Sequence, residues 1–363
     1  IMVLRIIIAV HAVAFVLQAH AELSSGGNGL FSEAGFGPEA LGVVVNDDDP
    51  VSIRIAEYYK TKRRIPEANI IHVRFKSGGS TMSRVEFQKI KAMADKTTPR
   101  SIQAYALTWT MPYRVECMSM TTAFAFGFQE DFCSKSCSPT KPSPYFNSDS
   151  RRPHDDHRIR PAMMLAGKNF EQVKSLVDRG VASDGKFPRG IGYLVSTSDK
   201  ARNVRAVGYP EVVQRYSGSP LDLRLVRADY IKGKKRVLFY FTGVKNVEAL
   251  KTIRFVPGAI ADHLTSAGGD LLGGGNQMSS LRWLEAGATG SYGAVVEPCN
   301  YPTKFPYPAI VIDRYLRGET LIEAYWKSVA WPGQGVFIGE PLAKPFARVS
   351  DRAQPLSRQI MSH

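Results

Sequence analysis

The chain has 363 residues, 44% of them hydrophobic, and carries 47 Lys and Arg against 33 Asp and Glu, a formal charge of +14. That excess favours encounters with acidic partners such as anionic lipid headgroups, acidic polysaccharide or nucleic acid. The cations are scattered, with short clusters over residues 60–64 and 232–236 and no aromatic-interleaved stripe, which argues against nucleic acid; past residue 21 no stretch is long and apolar enough to span a bilayer.

Residues 1–21 read as a secretory signal peptide: Arg5 precedes an apolar run over 6–17 that ends in Ala19-His20-Ala21, a small-x-small cleavage site. The run is shorter than the roughly 20 residues of a spanning helix, so cleavage rather than anchoring is expected. A flexible lead-in follows over 22–40, an N-terminal α/β region over 41–200 with an irregular insertion at 129–161, a C-terminal region over 201–346 and a tail over 347–363. Residues 41–45 read as a buried strand that stops at Asn46-Asp47-Asp48-Asp49-Pro50. Asp49 suits a helix cap and Pro50 a first helical position, with Val51, Ile55 and Tyr58 as the buried face and the basic residues 60–64 at the negative end of the helix dipole. A strand over 70–75, a helix over 83–94 with Phe87, Ile90 and Ala94 on one face, and a strand over 102–109 follow. Alternating strands and helices imply a parallel sheet flanked by helices, an α/β fold. A helix through Phe170, Val173, Leu176 and Val177 closes near Gly180, and 191–195 is a strand. Residues 237–241 are the most strand-like run in the chain. A Pro257-Gly258 turn, a short helix over 259–265, a glycine cluster, a helix over 278–286, a strand over 291–296 and helices over 310–316 and 321–328 complete the expected order.

The four cysteines, Cys117, Cys133, Cys137 and Cys299, are an even number behind an export signal, so disulfides are the default. Cys133 and Cys137 share a loop where a short bridge is easy, which leaves Cys117 and Cys299 to pair across the fold or stay free. The spacing lacks the doubled Cys-x-x-Cys of a zinc site. The glycine cluster (Gly268, Gly269, Gly273, Gly274, Gly275) fits neither nucleotide-binding fingerprint and reads as a flexible turn.

Three constellations carry chemistry. Asp47, Asp48 and Asp49 lie where α/β sheets place ligands, beyond a strand's carboxyl end; one serves as a cap, and the others offer oxygen ligands to a divalent cation such as calcium or magnesium, the one cofactor the sequence admits. His154-Asp155-Asp156-His157 has metal-like composition in a polar loop. Cys299 and His263 are the candidate pair for nucleophilic catalysis, since a thiolate needs an imidazole to lower its pKa and shuttle protons.

Several longer motifs carry a resemblance. The string from Asn46 to Ser52, Ile55-Ala56-Glu57-Tyr58-Tyr59, Lys62-Arg63, Ile65-Pro66, Pro112-Tyr113-Arg114-Val115, the block Arg282-Trp283-Leu284-Glu285-Ala286-Gly287-Ala288-Thr289-Gly290-Ser291-Tyr292-Gly293, and Gly339-Glu340-Pro341 resemble an uncharacterised exported bacterial family. Its members occur in genomes that carry exosortase and PEP-CTERM protein sorting, and the likeness runs from about residue 41 to 346. It implies compartment and company rather than chemistry. Residues 237–341 also distantly resemble gingipain-type cysteine peptidases of the caspase-like fold, in which one strand ends in His-Gly, the next in the nucleophilic Cys, a Gly-Ala strand follows and a Gly-Asp-Pro motif comes late. Here Thr242-Gly243 stands in the histidine position and the run from Ile253 to Ala261 has no cysteine, whereas residues 287–296 and Gly339-Glu340-Pro341 match the later pieces. The resemblance implies a three-layer caspase-like sandwich without its dyad, exported to the periplasm or beyond, that binds a cell-envelope or extracellular protein or polysaccharide. The alternatives are a cysteine hydrolase using Cys299 and His263, and a metal-dependent enzyme at Asp47, Asp48 and Asp49.

Overall fold

Ten strands form one mostly parallel sheet with helices on both faces in the computed structural model, which describes residues 35–135 and 137–348. The signal peptide, most of the lead-in and nearly all of the tail lie outside the described residues. In chain order the elements are β1 (Leu41–Asn46), α1 (Pro50–Arg63), β2 (Ile70–Val73), β3 (Thr81–Met82), α2 (Arg84–Thr97), β4 (Ala104–Leu107), β5 (Arg114–Val115), β6 (Met118–Ser119), α3 (Met120–Phe126), α4 (Pro153–His157), β7 (Ala162–Met164) and α5 (Phe170–Ser183). Then come β8 (Ile191–Ser196), α6 (Tyr209–Arg215), β9 (Asp222–Arg227), β10 (Val237–Gly243), β11 (Phe255–Leu264), α7 (Leu281–Glu285), β12 (Gly290–Ala294), α8 (Pro308–Leu316), α9 (Leu321–Lys327) and β13 (Gly335–Gly339).

The sheet order is β2-β1-β4-β7-β13-β12-β11-β10-β8-β9, and every pairing is parallel except β12 with β13. Two parallel half-sheets therefore meet at one antiparallel seam. Numbered by appearance and read from the outer edge to the seam, the strands of both halves run 2-1-3-4-5, the doubly wound order in which the chain reverses direction beside its first strand. Strands β3, β5 and β6 form a small separate sheet.

Alternation of side chains across each strand fills two layers. Val43, Val45, Phe239, Phe241 and Tyr292 pack with Ile55 and Tyr59 of α1, Val177 of α5 and Trp326 of α9 on one face. Val44, Tyr105, Leu107 and Met164 meet Phe87, Ile90 and Ala94 of α2 on the other, the three residues the helical periodicity selects. On α1 the cap is Asp49, whose carboxylate accepts from the Val51 amide, and the basic last turn is as expected, but the buried face is one residue on: Ser52, Ile55, Ala56 and Tyr59. Val51 is 40% exposed. Ser52 explains the shift, because its hydroxyl accepts from the Asn46 amide at 2.9 Å and pairs with Thr108 Oγ1 at 2.7 Å, drawing that face of the helix onto the ends of β1 and β4.

Two other expectations are corrected. Residues 259–265 are not a helix: all but Thr265 lie in β11, flanked by β10 and β12, and from Gly258 to Leu264 the strand is fully buried. A buried strand held on both sides overrides the helical propensity of Ala and Leu. The disulfides pair Cys117 with Cys133 and Cys137 with Cys299, so the short Cys133–Cys137 bridge does not form. The insertion over 129–161 is irregular apart from α4 and one 3-10 turn, and Cys137–Cys299 ties it to the loop after β12.

Gly339-Glu340-Pro341 ends β13 in a buried ion cluster. Glu340 accepts from Tyr59 Oη at 2.6 Å and from Arg63 Nε at 3.0 Å; Arg63 also bonds Glu340 through a second nitrogen and Asp184 through its third. Glu340 is fully buried. Helix α5 continues past Gly180 to Ser183, and glycine there lets Glu340 pack against it, since a Cβ would lie 2.6 Å from Glu340 Cγ. Burial lowers the Arg63 pKa, but Glu340, Tyr59 and Asp184 around it together outweigh this and hold the guanidinium charged; burial and then Glu340 push the Tyr59 hydroxyl up. Removing one partner strands a buried charge, so Glu340→Ala is expected to cost about 3–5 kcal/mol in guanidinium unfolding. Cys299→Ser opens a loop of 162 residues and Cys117→Ser one of 16, so unfolding midpoints should fall more for the first, by about 5 against about 3 kcal/mol of loop-closure entropy.

Candidate functional site at the carboxyl ends of β10 and β11

The second half-sheet reverses direction between β8 and β10, the position where doubly wound sheets open a crevice. Here the crevice is plugged. Thr197 Oγ1, just past β8, donates to Gly243 O at 2.5 Å, and its amide donates to Asn203 Oδ1 at 2.9 Å. Gly243 has no room for a side chain because the Arg202 carbonyl sits against its Cα. One strand further in, Thr242 is paired in register with His263 and Gly243 with Leu264.

On one face of this corner Arg205, 2% exposed at its side chain, reaches Asp262, 1% exposed, with 2.7 Å between nitrogen and oxygen. The guanidinium also donates to Thr242 O at 2.8 Å and to Pro306 O at 3.0 Å, so one cation ties β10, β11 and the loop before α8 together. Burial pushes the Asp262 carboxyl up against the pull of Arg205, and Arg205 stays charged because Asp262 and the neighbouring tyrosines together outweigh its own desolvation.

On the opposite face His263 is locked. Trp283 Nε1 donates to His263 Nδ1 at 3.0 Å, so Nδ1 carries no proton, and Nε2 lies 3.0 Å from Met278 O, to which it must donate. That fixes the neutral Nε2-H tautomer, and burial pulls the pKa down to about 3. With its lone pair taken by an indole N–H, the ring accepts no proton at neutral pH. Beyond it, Thr265 Oγ1 donates to Gln277 Oε1 at 2.6 Å and accepts from Arg202 Nε at 3.0 Å. The first glycines of the cluster, Gly268 and Gly269, press backbone to backbone on Gly293 and Ala294. The cluster therefore links β11 to α7 rather than two helices.

Cys299 and His263 are not brought together: the Cys299 sulfur is bonded to Cys137, and every described cysteine is in a disulfide. Asp47 and Asp48 both face Arg74, and Asp49 turns to the helix. Asp47 meets His72 at 2.8 Å and Arg74 at 3.4 Å, Asp48 meets Arg74 at 3.0 Å, and Asp49 caps α1. The His154 to His157 run, placed in a loop by its composition, forms α4 with separate partners: His154 with Arg160, Asp155 with Arg152, Asp156 with Ser150 and His157 with Ser148. Among the described residues no three His, Cys, Asp or Glu side chains gather as a metal site. Sequence reasoning missed Arg205, Asp262 and Lys304. Lys304 Nζ donates to Ser134 Oγ and Ser138 O at 3.0 Å each, and burial pulls its pKa down to about 8. Only the strand assignment of 259–265 would have placed Asp262 and His263 on opposite faces.

No protein family, curated protein or solved structure matches the chain. The corner's integrity rests on its ion pair. Arg205→Met, which leaves Asp262 buried without a cation, should lower unfolding stability by about 3–5 kcal/mol, and adding Asp262→Leu should restore much of the loss, as a double-mutant cycle in urea would read.

Proposed function

We propose that the chain is an exported, non-catalytic relative of the caspase-like peptidases that acts by binding a cell-envelope or extracellular protein or polysaccharide, in the company of exosortase-dependent sorting. The observation that carries this reading is the register of two neighbouring parallel strands, which sets Thr242 beside His263 at the corner where the resemblance expects a histidine and a cysteine. The imidazole present there is neutral and engaged at both nitrogens. The later pieces of the resemblance support the scaffold: residues 287–296 hold β12, and Gly339-Glu340-Pro341 closes β13 with a buried ion cluster. Two disulfides fit an oxidising compartment, and no described helix is long and apolar enough to cross a membrane.

The test is a thiol count on the secreted protein, unfolded without reductant, run beside peptidase assays on casein and a mixed peptide library before and after mild reduction. No free thiol is expected before reduction, and no hydrolysis before or after it. A thiol at Cys299 that alkylates rapidly at neutral pH, with hydrolysis lost on alkylation, would replace the binding role with a cysteine hydrolase.

A further inference from the structure

The amino ends of β8, β10 and β11 lie side by side, and the segments that precede them are rich in cations. Arg189 stands two residues before β8, Lys234, Lys235 and Arg236 lead into β10, and Lys251 and Arg254 lead into β11; all six are exposed. Backbone bonds hold them close: the Arg254 amide donates to Lys234 O at 2.9 Å, the Val237 amide to Arg254 O at 3.0 Å and the Ile191 amide to Arg236 O at 2.8 Å. Asp222, whose charge reaches Arg236, is already held by both arms of Arg224.

Two hollows open beside this row, on either side of the end of α7. One, of about 370 Å³, is lined by Lys251, Arg254, Arg282 and Glu285 over an apolar floor of Leu250 and Ile253. The other, of about 330 Å³, shares Glu285 and is walled by Phe255, Pro257 and Leu281, with Gln172, Ser175 and Arg179 as polar groups. Arg179 bonds the Leu284 and Ala288 carbonyls through Nε and one terminal nitrogen. No acid contributes to its electrostatics, and burial draws its pKa down to about 10.

We propose that this row and its two hollows form a binding surface for an acidic polysaccharide, a uronate-bearing chain lying along the amino ends of β10 and β11. Exposed cations recognise carboxylates, and guanidinium groups bind them in bidentate geometry. Glu285 lies between the two hollows, bridged to Lys168 at 2.8 Å and Arg282 at 2.5 Å, and its oxygens can accept from hydroxyl donors. Each uronate residue carries hydroxyls beside its carboxylate, so hydroxyls can face Glu285 while carboxylates face Lys251 and Arg254. Apolar side chains in both hollows suit the aliphatic faces of sugar rings.

This assignment deepens the binding role proposed above and rests on it. The test measures retention of the full secreted protein by alginate oligomers in affinity electrophoresis and titration calorimetry. Neutral dextran, phosphatidylglycerol vesicles and single-stranded oligothymidine are the comparison probes. Binding to alginate, weakening with salt, is expected, with affinity reduced roughly tenfold or more in Lys251→Ala/Arg254→Ala/Arg282→Ala. The charge-matched control Lys89→Ala/Lys96→Ala/Arg100→Ala, on and just beyond α2, should bind as the unaltered protein does. All six substituted side chains are exposed, and thermal unfolding confirms that each variant is folded. Failure to bind alginate, equal binding of dextran, binding of vesicles or oligothymidine in place of alginate, or undiminished binding by the first triple variant would each overturn the assignment. A hydrolase that bound alginate through these cations would leave the surface standing while the thiol count overturned the non-catalytic role.

Discussion

The pairing of β12 with β13 is the constraint on which the rest of the molecule depends. It is the one antiparallel contact in the ten-stranded sheet, and it joins two half-sheets that would otherwise be separate doubly wound units. Glycine makes the seam thin enough to cover. Gly335 leaves room for the Tyr292 ring, and Gly290 and Gly339 admit Leu321 of α9. Tyr292 then packs edge-on against Phe337 at 5.0 Å, and Trp326 stacks on Phe337 at 4.4 Å. The layer of aromatic side chains over the seam turns two small cores into a continuous one.

Charge is buried around that seam. Glu340 leaves β13 to meet Tyr59 and Arg63 of α1; Arg205 and Asp262 span the ends of β10 and β11; Lys327 of α9 pairs with Glu319 at 2.9 Å, both fully buried, beside Glu323. Burial pulls the Lys327 ammonium down and pushes the Glu323 carboxyl up. Such groups contribute little net stability over apolar packing, because their desolvation offsets their attraction. Their effect is on geometry: each is satisfied in one arrangement of the elements that supply it. The same demand occupies the corner of β10 and β11, where Arg205 and Trp283 take up the polar capacity that chemistry would need.

The first half of the chain was legible because its signals are local. Asp49-Pro50 starts α1, and Phe87, Ile90 and Ala94 mark the buried face of α2 at helical spacing. Strand β11 was misread because Ala259-Ile260-Ala261 and His263-Leu264 have helical composition and spacing after a Pro-Gly turn signal, while what makes them a strand is the pair of neighbours on either side. Strands β7 and β13 are three and five residues long and their partners are distant, so periodicity had little to work on. The Arg63–Glu340 contact spans 277 residues and leaves no local trace, although both residues fall inside the motifs that carry the family resemblance. Cysteine pairing was open for the same reason, since four cysteines allow three connectivities. In the candidate site, Thr242-Gly243 and the absent cysteine were visible in the sequence; the tautomer of His263, the Arg205–Asp262 pair and the basic edge required the sheet order.

The imidazole at this corner accepts from Trp283 and is held neutral by burial. Long-range nitrogen–proton NMR of the imidazole rings, with His263→Gln to assign the signal, reads this directly. His263 is expected to show the neutral Nε2-H pattern and to hold it from pH 8 down to about pH 4, because burial draws its pKa down to about 3. A His263 signal that titrates near the ordinary value of about 6.5, or that shows Nδ1 protonated at neutral pH, would contradict it.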